Sequence, residues 1–321
     1  MLMQLAYLAL GGTGVATVLA LFAHSGWAPE LATHFRLQYV VVLTVLGLGF
    51  GVLRRPRLAL IAAVLLIPNA WIVGPYLLPL AVTPSEAGVA AVGHEVRVVA
   101  LNLLFSNDHH AEVRDYLRRS DADVLVLSEL TPAWVSALRE VTATYPYWLS
   151  VDRINPWGLG LYSKYPLREE RLTNLGLPGS VNVTARVVLP GGDVQIMGVH
   201  LASPITPVRA AYRNRQLGRL AELLGPRPAG DRASQPPRLL VGDLNLTPYS
   251  PYFGDLLQHT GMVDKRRAQG PTGTWPTWFP LLQIPIDHCI ADPELGVAWV
   301  QRGPRVGSDH YPLEILLRQK A

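Results

Sequence analysis

Charge is nearly absent from the first quarter of the chain, and this constrains the fold more than any motif does. Residues 1–82 hold five charged side chains: Glu30, Arg36, Arg54, Arg55 and Arg57. No Asp, Glu, Lys or Arg occurs from Met1 to Pro29, from Leu37 to Leu53, or from Leu58 to Ser85. A bilayer core about 30 Å thick needs about 20 apolar helical residues to cross it. The runs therefore predict membrane spans near 4–23, 37–53 and 58–81. The second is short, and the third contains Pro68, Pro75 and Pro79, which a packed membrane helix accommodates with kinks. Trp27, Tyr39, Trp71 and Tyr76 lie where interfacial aromatic residues are expected.

Two other readings compete. A cleaved signal peptide normally opens with basic residues, and this run has none. Three helices in a soluble core would each keep a polar face, whereas these are apolar all round. Orientation follows from the tight link Arg54-Arg55-Pro56-Arg57, because basic loops stay on the cytoplasmic side. The N-terminus is then expected inside, and everything after the third span outside the cytoplasm.

The rest of the chain is a different object. Of the formal +4, three units belong to residues 1–82, which leaves +1 for the remainder. The pI near 9.3 is thus mostly a topology signal and does not describe the basic footprint of a nucleic-acid binder. The overall charged fraction of 16%, low against roughly 25% in soluble proteins, is likewise a property of the anchor. A 49% hydrophobic content excludes disorder, and the single Cys289 excludes an intramolecular disulfide. One thiol without a cysteine partner also makes a poor zinc site.

Residues 83–95, small and glycine-bearing, read as a linker, and 96–321 as one mixed α/β domain. Apolar runs predict strands at 96–101, 123–128, 145–151, 157–163, 181–188, 194–199, 238–242, 286–291, 297–301 and 311–317. Helical spacing predicts helices at 110–120, 132–141, 207–224 and 252–259. Gly225–Pro237 has the composition of an exposed loop.

Several strands run into polar residues that a plain core would not choose. They are Asn102, Glu129, His200, Gly242-Asp243-Leu244-Asn245, Ile286-Asp287-His288 and Ser308-Asp309-His310. Taken singly, each has an ordinary explanation as a turn former, a helix cap, a core histidine or a loop. Taken together, they gather carboxylates, amides and histidines at strand ends, where α/β sites collect. Oxygen donors of this kind hold a hard cation such as Mg²⁺ together with substrate phosphate. The histidines and a further Asp then suit alignment of water and stabilisation of a phosphoryl transition state. No Walker loop, Gly-x-Ser-x-Gly elbow or dinucleotide fingerprint points to other chemistry.

In order and spacing these motifs resemble the endonuclease/exonuclease/phosphatase superfamily over residues 95–318. That group includes pancreatic-type deoxyribonucleases, abasic-site nucleases, inositol-polyphosphate phosphatases and neutral sphingomyelinases. The most specific segments are Gly242-Asp243-Leu244-Asn245 and Ser308-Asp309-His310, with Thr274-Trp275 and Ile286-Asp287 between them. With spans ahead of the domain, the chain looks like a membrane-anchored bacterial branch.

The resemblance implies a four-layer sandwich, two packed β-sheets flanked by helices, behind three transmembrane helices. It implies Glu129 as principal Mg²⁺ ligand (Mn²⁺ in its place) with Asn102 and Asp309 assisting. Asp243 would orient or deprotonate the attacking water and Asn245 would contact the phosphate. His310, held by Asp287, would position or protonate the phosphate, and His200 would stabilise developing charge. Lys164, Arg213 and Arg215 are weaker phosphate contacts; Arg213 and Gln216 echo a family Arg-x-x-Gln pattern, although an exposed helix face also explains them. The family's final strand pair usually carries Asp-Tyr or Asp-His with a following Ile or Val, and Asp287-His288-Cys289-Ile290 keeps the Asp and the later Ile. The tyrosine-bearing segment of abasic-site nucleases is not found, which weakens a DNA-repair reading.

The expectation is a multi-pass membrane protein with an extracytoplasmic, Mg²⁺-dependent phosphoesterase domain acting on a phospholipid head group or another envelope phosphate ester. The aromatic stretch Trp275–Leu282 is a candidate lipid contact, or else a packed loop. An extracytoplasmic nuclease and a non-catalytic scaffold are the alternatives, and no protein partner is inferable.

Overall fold

The computed structural model describes residues 1–78, 94–228, 235–267, 270 and 272–318. The expected linker lies outside them except for His94 and Glu95, and so do Pro79 and the middle of the 225–237 loop.

Three long helices open the chain: α1 (Leu2–Leu21), α3 (Arg36–Val52) and α4 (Pro56–Leu77), with the short α2 (Trp27–Leu31) between the first two. By length and composition Leu2–Leu21, Trp27–Val52 and Pro56–Leu77 are all long and apolar enough to cross a membrane. α4 remains one helix through Pro68 and Pro75. This bundle is apolar both inside, where Leu10, Leu43, Phe50 and Ala62 cluster, and over much of its outside. Leu8, Val15, Val45, Leu48, Leu60 and Ile67 face outward, while Thr17, Arg36 and Asn69 are buried. Arg36 donates to Asn69 Oδ1 (3.1 Å) and to the Ala20 carbonyl (2.9 Å), and Asn69 Nδ2 donates to Thr17 Oγ1 (2.9 Å). Polar groups facing inward between helices are what an apolar surrounding medium demands.

The domain consists of two six-stranded sheets laid face to face. In chain order its elements are β1 (Glu95–Asn102), α5 (His110–Ser120), β2 (Val124–Ser128), α6 (Pro132–Ala137), α7 (Arg139–Thr142), β3 (Tyr147–Val151) and β4 (Leu159–Ser163). Then follow β5 (Leu167–Thr173), β6 (Asn182–Val187), β7 (Val194–His200), α8 (Pro207–Leu224), β8 (Arg238–Asp243), α9 (Pro251–Thr260) and β9 (Val263–Asp264). The last strands are β10 (Asp287–Ala291), β11 (Val297–Arg302) and β12 (Leu313–Arg318). The first sheet runs β11-β12-β1-β2-β4-β3 and the second β5-β6-β7-β8-β10-β9.

Each sheet is centred on one parallel pair joined by a helix, β1-α5-β2 and β7-α8-β8. Such a crossover returns the chain to the same end of the sheet, so both strands of a pair deliver their last residues there. The inner faces bury Val98, Val126, Leu161, Val183, Ile196, Leu239 and Val241 against one another. The outer face of the first sheet packs Val99, Leu125 and Leu127 under α5, α6 and α7. That of the second packs Met197, Val199 and Leu240 under α8 and α9. The expected four-layer sandwich is therefore the observed one.

Besides the short β9 and α2, which were not expected, two elements differ from the sequence expectation. The segment Leu167–Thr173, mostly charged, forms the edge strand β5, exposed over most of its length and bulged between Arg168 and Arg171. It has no buried face to give it an alternating pattern. The expected helix at 132–141 is two short helices divided at Leu138.

Candidate active site

Both parallel pairs end at the same side of the sandwich. β1 supplies Asn102, and Glu129 directly follows β2; β7 supplies His200 and β8 Asp243, while the antiparallel β10 begins with Asp287 beside Asp243. The backbone bends sharply as these strands end. Glu129 and Asn245 adopt positive φ, +58° and +49°, a conformation that costs energy in residues other than glycine and gathers at functional sites. Gly242 at φ +131° is required, because a Cβ there would lie 2.2 Å from the Val199 carbonyl oxygen.

The side chains then meet across the two sheets. Asn102 Nδ2 donates to Glu129 Oε1 and to Asp243 Oδ2, both at 3.1 Å, so one amide links the sheets. Glu129 Oε2 accepts from the Phe105 amide (2.8 Å). Asp243 Oδ1 accepts from the Asn245 amide (2.7 Å), and Asn245 Nδ2 donates to Asp243 Oδ2 (3.2 Å) and the Leu201 carbonyl (2.9 Å). His310 Nδ1 lies 3.0 Å from Asp287 Oδ2, and its Nε2 lies 3.7 Å from Asp243 Oδ2. His200 Nε2 is 3.7 Å from Asp243 and 3.8 Å from Glu129. Its Nδ1 is 3.1 Å from the Pro156 carbonyl, which only accepts, so Nδ1 carries a proton. Asp309 Oδ2 accepts from Trp275 Nε1 (2.9 Å), while its buried Oδ1 has no hydrogen-bond partner.

Supporting residues hold this geometry. Ser308 Oγ donates to the Asn102 carbonyl (2.7 Å) and accepts from the His310 amide (3.0 Å), pinning the Ser-Asp-His segment to the end of β1. Thr274 Oγ1 accepts from the Ile286 and Asp287 amides. Asn182, which the sequence reading did not single out, accepts from the His200 amide at 3.1 Å. Trp157, likewise unnoticed, packs on the His200 ring at 5.7 Å. Neither lies at the end of an apolar run, so the pattern that exposed the other residues missed them.

Burial and charge tune the cluster. Burial pushes the Asp243 carboxyl up to about 6, with Asp287 adding to the rise and the His310 and His200 rings opposing it. Burial disfavours an imidazolium at His310, but Asp287 and Asp243 outweigh it and raise that ring to about 10. Burial also opposes ionisation of Asp287, yet His310 and the Thr274 hydroxyl hold its carboxyl below the usual range. His310 and Asp287 thus form a buried ion pair beside a carboxyl that titrates near neutrality.

The three weaker candidates do not belong to this cluster. Lys164 follows β4 at the opposite end of the sheet and pairs with Asp121 (2.7 Å) and Asp123 (3.5 Å). Arg215 is exposed and stacks on Tyr212. Arg213 is fully buried, so it is no substrate contact, and the exposed-face explanation fails as well. Its Nη1 donates to the Asn245 carbonyl (2.8 Å), while Gln216 accepts from the Ala202 amide (2.9 Å). The Arg-x-x-Gln pattern therefore braces the backbone of two loops at the site.

A two-sheet sandwich with a carboxylate, amide and histidine cluster at one end defines a hydrolase-type α/β architecture suited to phosphate esters. Comparison with known proteins places it more narrowly. The profile of the Endonuclease/Exonuclease/phosphatase family matches residues 99–310, and the chain belongs to that family. Its members are metal-dependent phosphodiester hydrolases. Among solved structures, a humanized D. rerio TDP2 carrying 14 mutations superposes with a TM-score of 0.59 at 17% identity, over 70% of this chain and 99% of that one. D. rerio TDP2 complexed with a single-strand DNA product gives 0.58 at 16%, over 70% and 99%. An endonuclease/exonuclease/phosphatase from Beutenbergia cavernae gives 0.54 at 20% identity, over 71% and 72%. At these identities the likeness establishes the fold. No curated protein matches the chain in sequence.

Proposed function

We propose that the chain is a membrane-anchored, Mg²⁺-dependent phosphoesterase whose substrate is a phospholipid head group, with residues 1–82 as anchor and 96–321 as catalytic domain. The observation that carries this reading is where the anchor touches the domain. Trp27 donates to the Pro204 carbonyl (2.6 Å) in the loop after β7, and His34 meets Thr247 (3.1 Å) in the loop after β8. Gln38 donates to the Gln283 carbonyl (3.0 Å) in the segment before β10. All three loops adjoin the site, and in this reading its mouth would open toward the plane from which the helices emerge. Ile154, Ile205, Trp278 and Leu281, on loops at that end, expose more than half of their surface. An exposed apolar rim of this kind suits a lipid surface. The Arg54–Arg57 turn lies at the opposite end of the bundle, which supports an extracytoplasmic domain.

Two donor sets compete for the cation. Ligand atoms of Asp243, Asp287 and His310 lie within 4.8 Å of one another, but an imidazolium engaged by Asp287 has no lone pair to offer. Glu129 and Asp309 present carboxylate oxygen, with Asp309 Oδ1 an orphaned buried acceptor suited to a cation, and Asn102 Oδ1 keeps a lone pair beside the one taken by the Leu104 amide, so these three would hold Mg²⁺, or Mn²⁺ in its place. When bound, the cation would supply charge neutralisation at the phosphate. Asp243, with a carboxyl near neutrality, accepts the proton of the attacking water. Asn245 directs its amide toward that carboxylate, and the Asp287-held imidazolium of His310 offers positive charge to the phosphoryl oxygens. His200, fixed through Nδ1, presents Nε2 between Glu129 and Asp243.

Extracytoplasmic nucleic acid is the second reading, supported by the DNA-product complex of a similar fold; the near-neutral domain counts against it. The deciding experiment sets the purified full chain against phospholipid vesicles, single-stranded DNA and bis-p-nitrophenyl phosphate, with Mg²⁺ or Mn²⁺ and with EDTA. Hydrolysis of the generic diester, metal-dependent and strongest on lipid, is expected. Preference for DNA moves the assignment to a nuclease, and no hydrolysis of any ester leaves a scaffold that retains only the fold.

A further inference from the structure

Several of the contacts between anchor and domain fall on one short segment. Asn245 to Ser250 follows β8 and begins with a residue of the site. Arg213 Nη1 holds its first carbonyl, at Asn245 (2.8 Å). The same guanidinium faces the anchor, with Nη2 lying 2.8 Å from Glu30 Oε2, near in distance though off the hydrogen-bonding angle. Both side chains are essentially inaccessible, 0% and 2% exposed. Glu30 Oε1 accepts from Ser250 Oγ (3.1 Å), at the far end of the segment. His34, itself 3.3 Å from Glu30, meets Thr247 in the middle, and Tyr76 of α4 packs edge-on against Tyr249.

A simple tether needs none of this. Burying a lone carboxylate is costly unless a cation and donors surround it, and every partner of Glu30 outside the anchor is either in the 245–250 segment or holds it. The segment begins in a left-handed turn, Asn245 with φ +49°, whose carbonyl is the one Arg213 holds. From these contacts we infer that the loop joining the first two membrane helices is part of the catalytic apparatus. Glu30, acting through Arg213, is a positioning residue for Asn245. The inference rests on the phosphoesterase reading only in assigning Asn245 to the site. The clamp itself is independent of substrate.

The test uses the full chain in lipid nanodiscs, with water-soluble bis-p-nitrophenyl phosphate as substrate so that lipid access plays no part. Glu30→Gln is expected to lower kcat roughly 10- to 100-fold with KM changed by less than about twofold, as misplacement of a reacting group does. Glu30→Asp regains most of the loss. Hydrogen exchange in 244–250 quickens in Glu30→Gln, while that in 124–130 of the other sheet stays as in wild type. Arg219→Ala, which breaks an exposed ion pair with Glu222, is the neutral control. If Glu30→Gln does not fold, Thr247→Val removes the His34 contact and is read in the same way, with a loss of roughly threefold. An unchanged kcat, or unchanged exchange in 244–250, overturns the proposal. An inactive wild type overturns the phosphoesterase reading instead, and the exchange measurement alone then decides whether the clamp exists.

Discussion

The two sheets contribute unlike halves to one site. The first offers oxygen donors, Asn102 and Glu129, held by backbone amides and by each other. The second brings His200, Asp243 and Asp287, which in the proposed mechanism move or carry protons. The Asp309-His310 pair, on the segment leading into β12 of the first sheet, sends its histidine across to Asp287 of the second. The halves differ in support as well, since the anchor contacts just described fall on loops of the second sheet. On the proposed roles, charge-holding and proton-handling are separable by position, and the N-terminal helices brace the second.

That division is open to direct attack. The largest effects belong to the proton-handling half: Asp243→Ala or His310→Ala should lower kcat by about a thousandfold or more, with the Mg²⁺ concentration for half-maximal activity hardly moved. A parallel shift of metal dependence in either variant would erase the distinction. Next, Glu129→Gln should raise the half-maximal Mg²⁺ concentration by at least about tenfold, measured by titrating activity or by calorimetry.

The pH response sharpens the comparison further. His310 is raised to about 10, so its ion pair contributes fully to stability below the unfolded value near 6.5 and is lost as pH rises through about 10. Asp287 is lowered, so its contribution is present above its unfolded value and lost as pH falls through the folded one. Replacing Asp287 by Asn should therefore move the alkaline limb of kcat/KM down by about one pH unit or more and flatten the fall of Tm between pH 7 and 10. The smallest effect lies at the rim: Trp278→Ala should reduce turnover of vesicle lipid more than that of the soluble diester, by roughly threefold.

Much of the site was legible because its residues end apolar runs. Val124–Ser128 leads into Glu129, Leu239–Val241 into Gly-Asp-Leu-Asn, and a strand period broken by a polar residue is a local signal. The sandwich followed from the family resemblance those segments carry. Arg213 was misjudged because an arginine is expected to face water, although Ala210, Leu217 and Leu220 on the same helix face are buried with it. What makes its burial tolerable is Glu30, in a segment read only as a connector between spans, and no local pattern pairs residues so far apart. β5 escaped because an edge strand exposed on both faces carries no alternation.

The polar knot of Arg36, Asn69 and Thr17 inside the helix bundle has a consequence of its own. It ties together the three helices whose ends carry Trp27, His34, Gln38 and Tyr76 to the domain. If these helices span a membrane as proposed, a head joined to the bundle at these points would meet its substrates at one height and one tilt. Its encounters would then be those of a surface, counted per unit area and supplied by sideways diffusion, and dilution of the surrounding fluid would leave them unchanged.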